Sequence, residues 1–293
     1  METIEITEKD VEKQIKKMKA GKAAGPDGLK IEMYKEAIKS KETLCIMTKC
    51  YAKAIKEGQD EEKCNWKKSN TNLIPKVHRP KVSEFRPIAL LNISYKILMG
   101  ILKEKVENHL SEQSLMKVTQ TGFTPGRRMA DNLLMLQYIV DESYRQTKPI
   151  YIIAVDFSKA FDSIKREKLI EALIKYKIHP DIINFVANIY TDDETNLLID
   201  GENVGNIKIS SGIRQGCNGS TILFLLITYC IMTYLDIHLK GYRNMVCRLV
   251  SIFFADDGLL IAHSLEETIK AIRTLVHIAG DCGLSLNKEK ATY

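Results

Sequence analysis

The sequence predicts an α+β fold in which a few strands are packed by many helices. Short runs of β-branched and aromatic residues without charge, such as 150–155 and 251–254, have the length and composition of strands. Longer segments carry apolar residues at helical spacing, as at Leu169, Leu173 and Tyr176. With 293 residues, 45% of them hydrophobic, the chain can bury a sizeable core in one large domain or two subdomains.

Capping and turn signals place the elements in order. Thr7 and Asp10 resemble a capping box that opens a helix ended by Gly21, and residues 25–28 have the composition of a turn. The further predicted elements are helices through 34–38 and 44–55, strands at 71–76 and 88–90, helices at 97–110 and 132–144, a strand at 150–155 with a helix after it, and a last helix from a Ser264–Glu267 capping box to near Gly280.

The longest apolar run extends from Ile222 to Leu235 and is interrupted by Thr228, Tyr229 and Thr233. It is shorter than the ~20 residues that a membrane span needs. We therefore predict a core helix and no membrane partner.

Composition sets mild limits on what the chain binds. Its 43 Lys and Arg residues exceed its 37 Asp and Glu residues by only six. Basic clusters near the N-terminus and around residues 67–81 could be phosphate-facing surfaces or ordinary solvated faces. Seven cysteines without a Cys-x-x-Cys pair argue against a disulfide framework and a zinc ribbon. We expect a reducing intracellular compartment, nucleus or cytoplasm, and we see no targeting signal.

Two adjacent aspartates, Asp256 and Asp257, lie inside an otherwise apolar run from 251 to 262. Neighbouring carboxylates repel and apolar flanks add a desolvation cost, so a bound divalent cation would explain the arrangement. The flanks are predicted as short strands and Asp257-Gly258 is a favoured tight-turn dipeptide, which places the aspartates at a hairpin tip. A solvated turn explains the same residues about equally well.

A third carboxylate, Asp156, ends the apolar run 150–155 and could converge with the hairpin aspartates. Three carboxylates can hold two magnesium ions, one activating an attacking hydroxyl and the other neutralising a leaving pyrophosphate. Taken alone, Asp156 is better explained as the N-cap of the following helix.

Seven short strings occur in the order seen in the reverse transcriptase domain of non-LTR (LINE-type) retrotransposons. The chain resembles that family from about residue 20 to its C-terminus; each string alone is weak, and the ordered set is strong. One departure is 218–220, Asn-Gly-Ser, where relatives commonly have a proline and another small-residue turn. The strings lie at 24–28, 85–90, 120–127, 155–162, 212–217, 254–257 and 283–288.

The resemblance implies a right-hand polymerase with fingers and an antiparallel palm sheet packed by helices, with the thumb absent. Residues 1–57 would extend the fingers, and residues 58–293 would form the reverse transcriptase domain. The implied activity is RNA-directed DNA synthesis, in which deoxynucleotides (dNTPs) are added to a DNA primer on an RNA template. This reaction would use two Mg²⁺ ions, for which Mn²⁺ could substitute.

The resemblance also implies roles for the carboxylates and two aromatic residues. Asp156 and Asp256 would bridge the metals, and Asp257 would be a supporting ligand or an electrostatic partner. Phe157 would lend its backbone carbonyl to a metal, while its side chain packs in the core. Phe161 would lie under the sugar and exclude a 2′-hydroxyl, although core packing at the strand-to-helix junction is a fair alternative.

Four further residues are implied to bind nucleotide. Lys76 and Arg86 match fingers positions that grip the triphosphate, and Lys288 matches a basic residue able to protonate pyrophosphate; ordinary surface charge is the alternative for all three. Gln215 would touch the incoming base or the template, beside Gly216, which lets the backbone approach closely. A helix-entry turn with Ser220 as N-cap is compatible with that role.

Two rival functions belong to other classes. The chain could be an inactive truncated relic that only binds nucleic acid, or a two-metal nuclease, for which no aspartate-and-histidine set is present. Tyr293 follows the last string closely, where the family continues into a primer-gripping segment and a thumb. We therefore expect a fragment of an element, a degraded copy or a partial gene product.

Overall fold

A computed structural model describes residues 4–57, 66–75, 77–78, 85–199, 201–245 and 247–287. The chain divides into two compact units, each built from two stretches of sequence. Unit 1 contains residues 1–113 and 173–222, and unit 2 contains residues 114–172 and 223–293. The predicted α+β class is confirmed. The predicted domain boundary after residue 57 stays a prediction.

The elements alternate irregularly along the chain. The helices are α1 (Glu8–Lys17), α2 (Ile31–Ala37), α3 (Lys41–Glu57), α4 (Ile93–Glu112), α5 (Met129–Gln146), α6 (Ala160–Ser163), α7 (Arg166–Lys175), α8 (Pro180–Ile189), α9 (Asn218–His238) and α10 (Leu265–Asp281). The strands are β1 (Lys68–Pro75), β2 (Phe85–Leu90), β3 (Tyr151–Ser158), β4 (Glu194–Ile199), β5 (Glu202–Lys208), β6 (Tyr242–Arg243), β7 (Arg248–Leu249), β8 (Ser251–Phe254), β9 (Asp257–Ala262) and β10 (Ser285–Leu286).

Most local signals give the element they predict. Thr7 and Asp10 form the reciprocal capping box that opens α1. Ser264 caps α10 by accepting a hydrogen bond from the Glu267 N–H, but the Glu267 carboxylate bonds elsewhere, to the N–H groups of Lys240 and Gly241. The second capping box is therefore only half formed.

Unit 1 contains a four-stranded sheet in the order β2-β1-β4-β5. The β1–β2 and β4–β5 pairs are antiparallel hairpins, and the central β1–β4 pair is parallel. The β4–β5 hairpin was not predicted, because β5 is fully exposed and carries no alternating apolar pattern. Trp66 is buried in this unit and packs against the rings of Tyr51, Tyr95 and Phe185.

Unit 2 contains an antiparallel sheet in the order β10-β3-β9-β8. Its outer strands are short, while β3 and β9 pair over six residues, from Tyr151↔Ala262 to Asp156↔Asp257. Ile252 and Ile261 of the sheet pack with Ile139 of α5 in a buried cluster. The predicted antiparallel sheet packed by helices is thus present.

Helix α9 contains the long apolar run. Within residues Gly219–His238 of α9, an 18-residue stretch has a mean hydropathy of 1.7, so this part of the helix is long and apolar enough to cross a membrane by length and composition alone. The prediction that this run is too short was therefore wrong. However, 67% of its most apolar stretch is buried inside the protein, as expected for the predicted core helix.

Candidate active site

The strand register brings two of the three predicted carboxylates together. Asp156 is the last paired residue of β3 against β9, and its cross-strand partner is Asp257. Residues directly opposite each other on antiparallel strands present their side chains on the same face. Asp256 precedes Asp257 in the turn that joins β8 to β9. All three aspartates therefore lie at one end of the unit 2 sheet.

The hairpin turn differs from the predicted one. Phe254 pairs with Asp257, so the two turn residues are Ala255 and Asp256, not Asp257 and Gly258. Ala255 has φ 58°, a positive value of the kind that the first central residue of a type I′ or II′ hairpin turn adopts. Gly258 lies in β9 instead, paired with Phe253, and a Cβ there would come within 2.4 Å of the Phe253 ring. Packing against an aromatic ring explains that glycine.

Asp156 is held by Asn287, the residue that follows β10, and is not a helix cap. Its carboxylate Oδ2 accepts a hydrogen bond from Asn287 Nδ2 at 3.1 Å, and its backbone carbonyl accepts one from the Asn287 N–H at 2.8 Å. The N-cap of the following helix α6 is Lys159. The N-cap alternative for Asp156 is therefore wrong, because the strand continues for two residues beyond it.

The three aspartates differ in exposure. Asp156 and Asp256 are half-buried, and Asp257 is exposed. Within the described residues, no group of three His, Cys, Asp or Glu side chains is close enough to hold a metal ion. The aspartates are therefore neighbours at the sheet end without forming a closed three-ligand cluster. Their oxygen donors are nevertheless of the kind that hard divalent cations take.

The two phenylalanines after Asp156 occupy different surroundings. Phe157 is 3% exposed and stacks on Phe253 with ring planes 4° apart, which confirms that its side chain is core. Phe161 is half-buried and stacks on the buried ring of Phe224 at 4.6 Å between centroids. Phe123 contacts the Phe161 ring edge-on, with 6.0 Å between the ring centroids. Phe161 thus has a packing role whether or not it also meets a sugar.

Unit 1 carries the predicted loop 212–217. Gly216 has φ 101°, and a Cβ there would lie 2.7 Å from the carbonyl oxygen of Ala89 in β2, so the predicted close backbone approach is confirmed. Gln215 is half-buried in this loop. Helix α9 begins at Asn218, so Ser220 lies inside its first turn and is not its N-cap. Burial raises the pKa of the Cys217 thiol, which keeps it neutral.

Arg214, beside Gln215, makes several buried hydrogen bonds, although no role was predicted for it. Its guanidinium donates to Asp193 Oδ1 at 2.5 and 3.1 Å and to the carbonyls of Trp66 at 2.5 Å and Lys67 at 2.9 Å. It also lies over the Tyr95 ring, 5.4 Å from the centroid. These contacts tie the loop to the start of β1. The sequence signal for this role was weak, since one arginine in a polar loop is ordinary.

The other predicted phosphate-binding residues are only partly described. Arg86 lies in β2 and pairs with Ile74 near the end of the β1–β2 hairpin. Lys76 and Lys288 lie outside the described residues. Their roles stay predictions.

Comparison with known proteins identifies the family. Residues 67–293 match the family model described as reverse transcriptase (RNA-dependent DNA polymerase). A Pol polyprotein from the type-1 retrotransposable element R2 of Nasonia vitripennis is 26% identical over 258 residues, covering 86% of this chain and 24% of that protein. The transposon TX1 149 kDa protein of Xenopus laevis is 25% identical over 270 residues, covering 91% of this chain and 20% of that protein. The chain thus spans about a quarter or less of the length of these relatives.

Solved structures show the same fold at low sequence identity. Apo telomerase from Candida tropicalis superimposes with a TM-score of 0.59 at 13% identity, covering 90% of this chain and 49% of that one. Telomerase from Candida albicans, in complex with a fragment of telomeric RNA, gives a TM-score of 0.55 at 13% identity, covering 77% of this chain and 41% of that one. The predicted polymerase fold and the resemblance to retrotransposon reverse transcriptases are confirmed. The chain belongs to the reverse transcriptase family.

Proposed function

We propose that this chain synthesises DNA on an RNA template as the polymerase part of a non-LTR retrotransposon protein, adding dNTPs to a DNA primer. The observation that carries the proposal is the Asp156↔Asp257 cross-strand pair with Asp256 in the adjoining turn, in a chain of this family. Residues 1–57 would extend the fingers. The six described cysteines are free, in keeping with a reducing intracellular setting in the nucleus or cytoplasm.

Asp156, Asp256 and Asp257, with the backbone carbonyl of Phe157, would hold two divalent cations, Mg²⁺ or Mn²⁺ as a substitute. When bound, such ions activate the primer hydroxyl and neutralise charge on the triphosphate. The protein's contribution is position. Asn287 holds Asp156 through its side chain and its backbone N–H, so the carboxylate at the end of β3 is fixed before any ligand arrives.

The remaining assignments concern the nucleotide and the template. Arg86, Lys76 and Lys288 would bind phosphate oxygens, for which a guanidinium fork and ammonium groups are suited. Gln215 would contact the incoming base or the template strand. The close approach of Gly216 to Ala89 and the buried bonds of Arg214 support a rigid loop at that position.

Primer extension tests the proposal. The chain is given an RNA template, a DNA primer, dNTPs and Mg²⁺, and Asp156→Asn, Asp256→Asn and Asp257→Asn are compared with wild type. Loss of one ligand should lower the extension rate of the first two variants by about a hundredfold or more, since positioning and charge stabilisation supply most of the rate. Asp141→Asn, an exposed aspartate on α5, serves as the matched control and should extend normally.

Wild-type extension by Asp156→Asn and Asp256→Asn would show that the site is assigned wrongly. Binding of primer–template by the wild-type chain without any extension would favour the rival function, a relic that only binds nucleic acid.

A further inference from the structure

The buried side chain of Gln120 forms hydrogen bonds with the turn that carries Asp256. Gln120 is fully buried, and its amide makes four hydrogen bonds. Nε2 donates to the carbonyl of Ala255 at 3.1 Å and to Thr228 Oγ1 at 3.3 Å. Oε1 accepts the N–H groups of Ala255 at 3.0 Å and Gly122 at 3.1 Å. One amide therefore satisfies both backbone groups of a single turn residue.

Ala255 needs such support. Its φ of 58° places it in the left-handed region, where a residue with a Cβ is unfavourable and persists only if its surroundings hold it. It is a turn residue between β8 and β9, so the strand ladder does not pair its N–H and C=O. Gln120 supplies both missing partners from a distant part of the sequence. The amide thus replaces the ladder at the one residue that precedes Asp256.

The segment around Gln120 is built close against the hairpin. A Cβ on Gly122 would come within 2.1 Å of the Ala255 nitrogen, so only glycine fits there. The backbone of residues 119–121 also pairs with that of Phe253. The Phe253 N–H donates to the Thr119 carbonyl at 2.7 Å, and the Thr121 N–H donates to the Phe253 carbonyl at 3.0 Å. These contacts align the Gln120 side chain with the turn and leave it little freedom.

We propose that Gln120 is a positioning residue whose amide holds Ala255 in the left-handed conformation and thereby fixes the direction of the Asp256 carboxylate. Gln120 acts through Ala255 and does not itself meet substrate. The functional half of this inference rests on the proposed role of Asp256. The alternative is a core amide that satisfies its own polarity and supports the unit as a whole.

Amide hydrogen exchange distinguishes the two roles of Gln120. If Gln120 supports the whole unit, its loss should raise exchange throughout the unit, whereas loss of a positioning residue should raise exchange at the turn. Exchange is measured by mass spectrometry on the full chain, in the peptide that covers 252–258. Gln120→Met keeps the length of the side chain and removes all four bonds. We expect exchange in that peptide to rise about tenfold or more, which corresponds to the loss of one hydrogen bond of about 1.4 kcal/mol.

Two control variants are matched to this change. Glu267→Met removes another buried acceptor of two backbone N–H groups in unit 2, those of Lys240 and Gly241, away from the turn. Thr228→Val removes the one Gln120 partner that lies outside the segment and the turn. Both should leave exchange at 252–258 within about twofold of wild type. Gln120→Asn keeps an uncharged amide but is one methylene too short to reach Ala255, so exchange at 252–258 should also rise, and this variant covers the case in which the Met variant does not fold.

A second measurement connects the turn to the site. Mn²⁺ alone is titrated into each variant and its affinity is followed by water proton relaxation, with Asp256→Asn as the reference. Gln120→Met should weaken Mn²⁺ binding several-fold in the direction of Asp256→Asn, whereas Glu267→Met should not.

Unchanged exchange at 252–258 in Gln120→Met, or an equal rise in Glu267→Met, would overturn the proposal. Faster exchange with wild-type Mn²⁺ affinity would also overturn it, because the turn would then be held without serving the carboxylate. Equal Mn²⁺ binding by wild type and Asp256→Asn would instead overturn the metal assignment of Asp256, and the exchange data would still decide whether Gln120 holds the turn.

Discussion

Arg214→Met should be among the most destabilising single substitutions in unit 1. The Arg214 and Asp193 side chains are 2% and 0% exposed. Although burial opposes a charge on the guanidinium, Tyr95 and Asp193 raise the pKa of Arg214 above its usual value, so the guanidinium stays charged in the folded state. Removing the arginine takes away the hydrogen bonds that it donates to the buried Asp193 carboxylate and to the carbonyls of Trp66 and Lys67.

The buried position of the ion pair determines how much stability Arg214→Met loses. Removing one partner of a buried ion pair destabilises a protein by about 3–5 kcal/mol. At roughly 2–4 °C per kcal/mol for a unit of this size, the melting temperature should fall by about 6–20 °C. Arg214→Lys should recover only part of this loss, because an ammonium group cannot reach both the carboxylate and the carbonyls of Trp66 and Lys67. Thermal unfolding followed by circular dichroism measures the shift.

A double variant tests whether the buried Asp193 charge causes the loss of stability. Arg214→Met with Asp193→Leu removes both charges, so it should be more stable than Arg214→Met alone. Arg273→Met, at an exposed arginine of α10, controls for the loss of one arginine and should melt within about 2 °C of wild type. An Arg214→Met protein that melts like Arg273→Met, or a double variant less stable than the single one, would refute the reasoning.

Two further predictions concern acid stability and sugar choice. Burial raises the pKa of Glu104, but Lys13 and Lys17 outweigh it and lower the pKa to about 2, so the ionised carboxylate adds stability above its usual pKa of 4.5 that is lost as the pH falls from there towards 2. In urea unfolding, Glu104→Gln should be less stable than wild type by about 1–2 kcal/mol at pH 7, and this difference should narrow towards pH 2. A difference that stays constant with pH would contradict the prediction. Phe161→Val should raise the ratio of ribonucleotide to deoxynucleotide incorporation. Phe224 packs against Phe161, and Phe224→Leu should lower the melting temperature without changing that ratio. An unchanged ratio in Phe161→Val would show that the Phe161 ring has a packing role alone.

Sequence patterns predicted the parts of the fold that have strong local causes. The capping box at Thr7, the apolar run before Asp156 and the strands flanking the aspartates are read directly from residue spacing. The hairpin turn was predicted two residues too late, at Asp257-Gly258 instead of Ala255-Asp256, because the Asp257-Gly258 dipeptide has the stronger local turn propensity. Gly258 is used to admit the Phe253 ring, and the turn falls on Ala255, where a distant amide compensates its backbone conformation.

The site residues that sequence reasoning missed act over long separations. Asn287 bonds to Asp156 from 131 positions away, and Gln120 bonds to Ala255 from 135 positions away. Neither side chain belongs to a periodic pattern, and neither carries a charge that would single it out. Both lie in the strings 120–127 and 283–288, but the groups to which they bond become visible only in the tertiary fold.

The parallel pairing of β1 with β4 also sets the order in which the chain can fold. Ser69 of β1 bonds to the carbonyl of Glu194, 125 positions later, and closing a loop of that length costs about 4 kcal/mol of chain entropy. At ~5–20 residues per second, a ribosome takes roughly 6–25 s to deliver β4 after β1. Throughout that interval β1 is an open sheet edge, and Lys68, Ser69, Asn70 and Asn72 make it a poor template for association with other nascent chains.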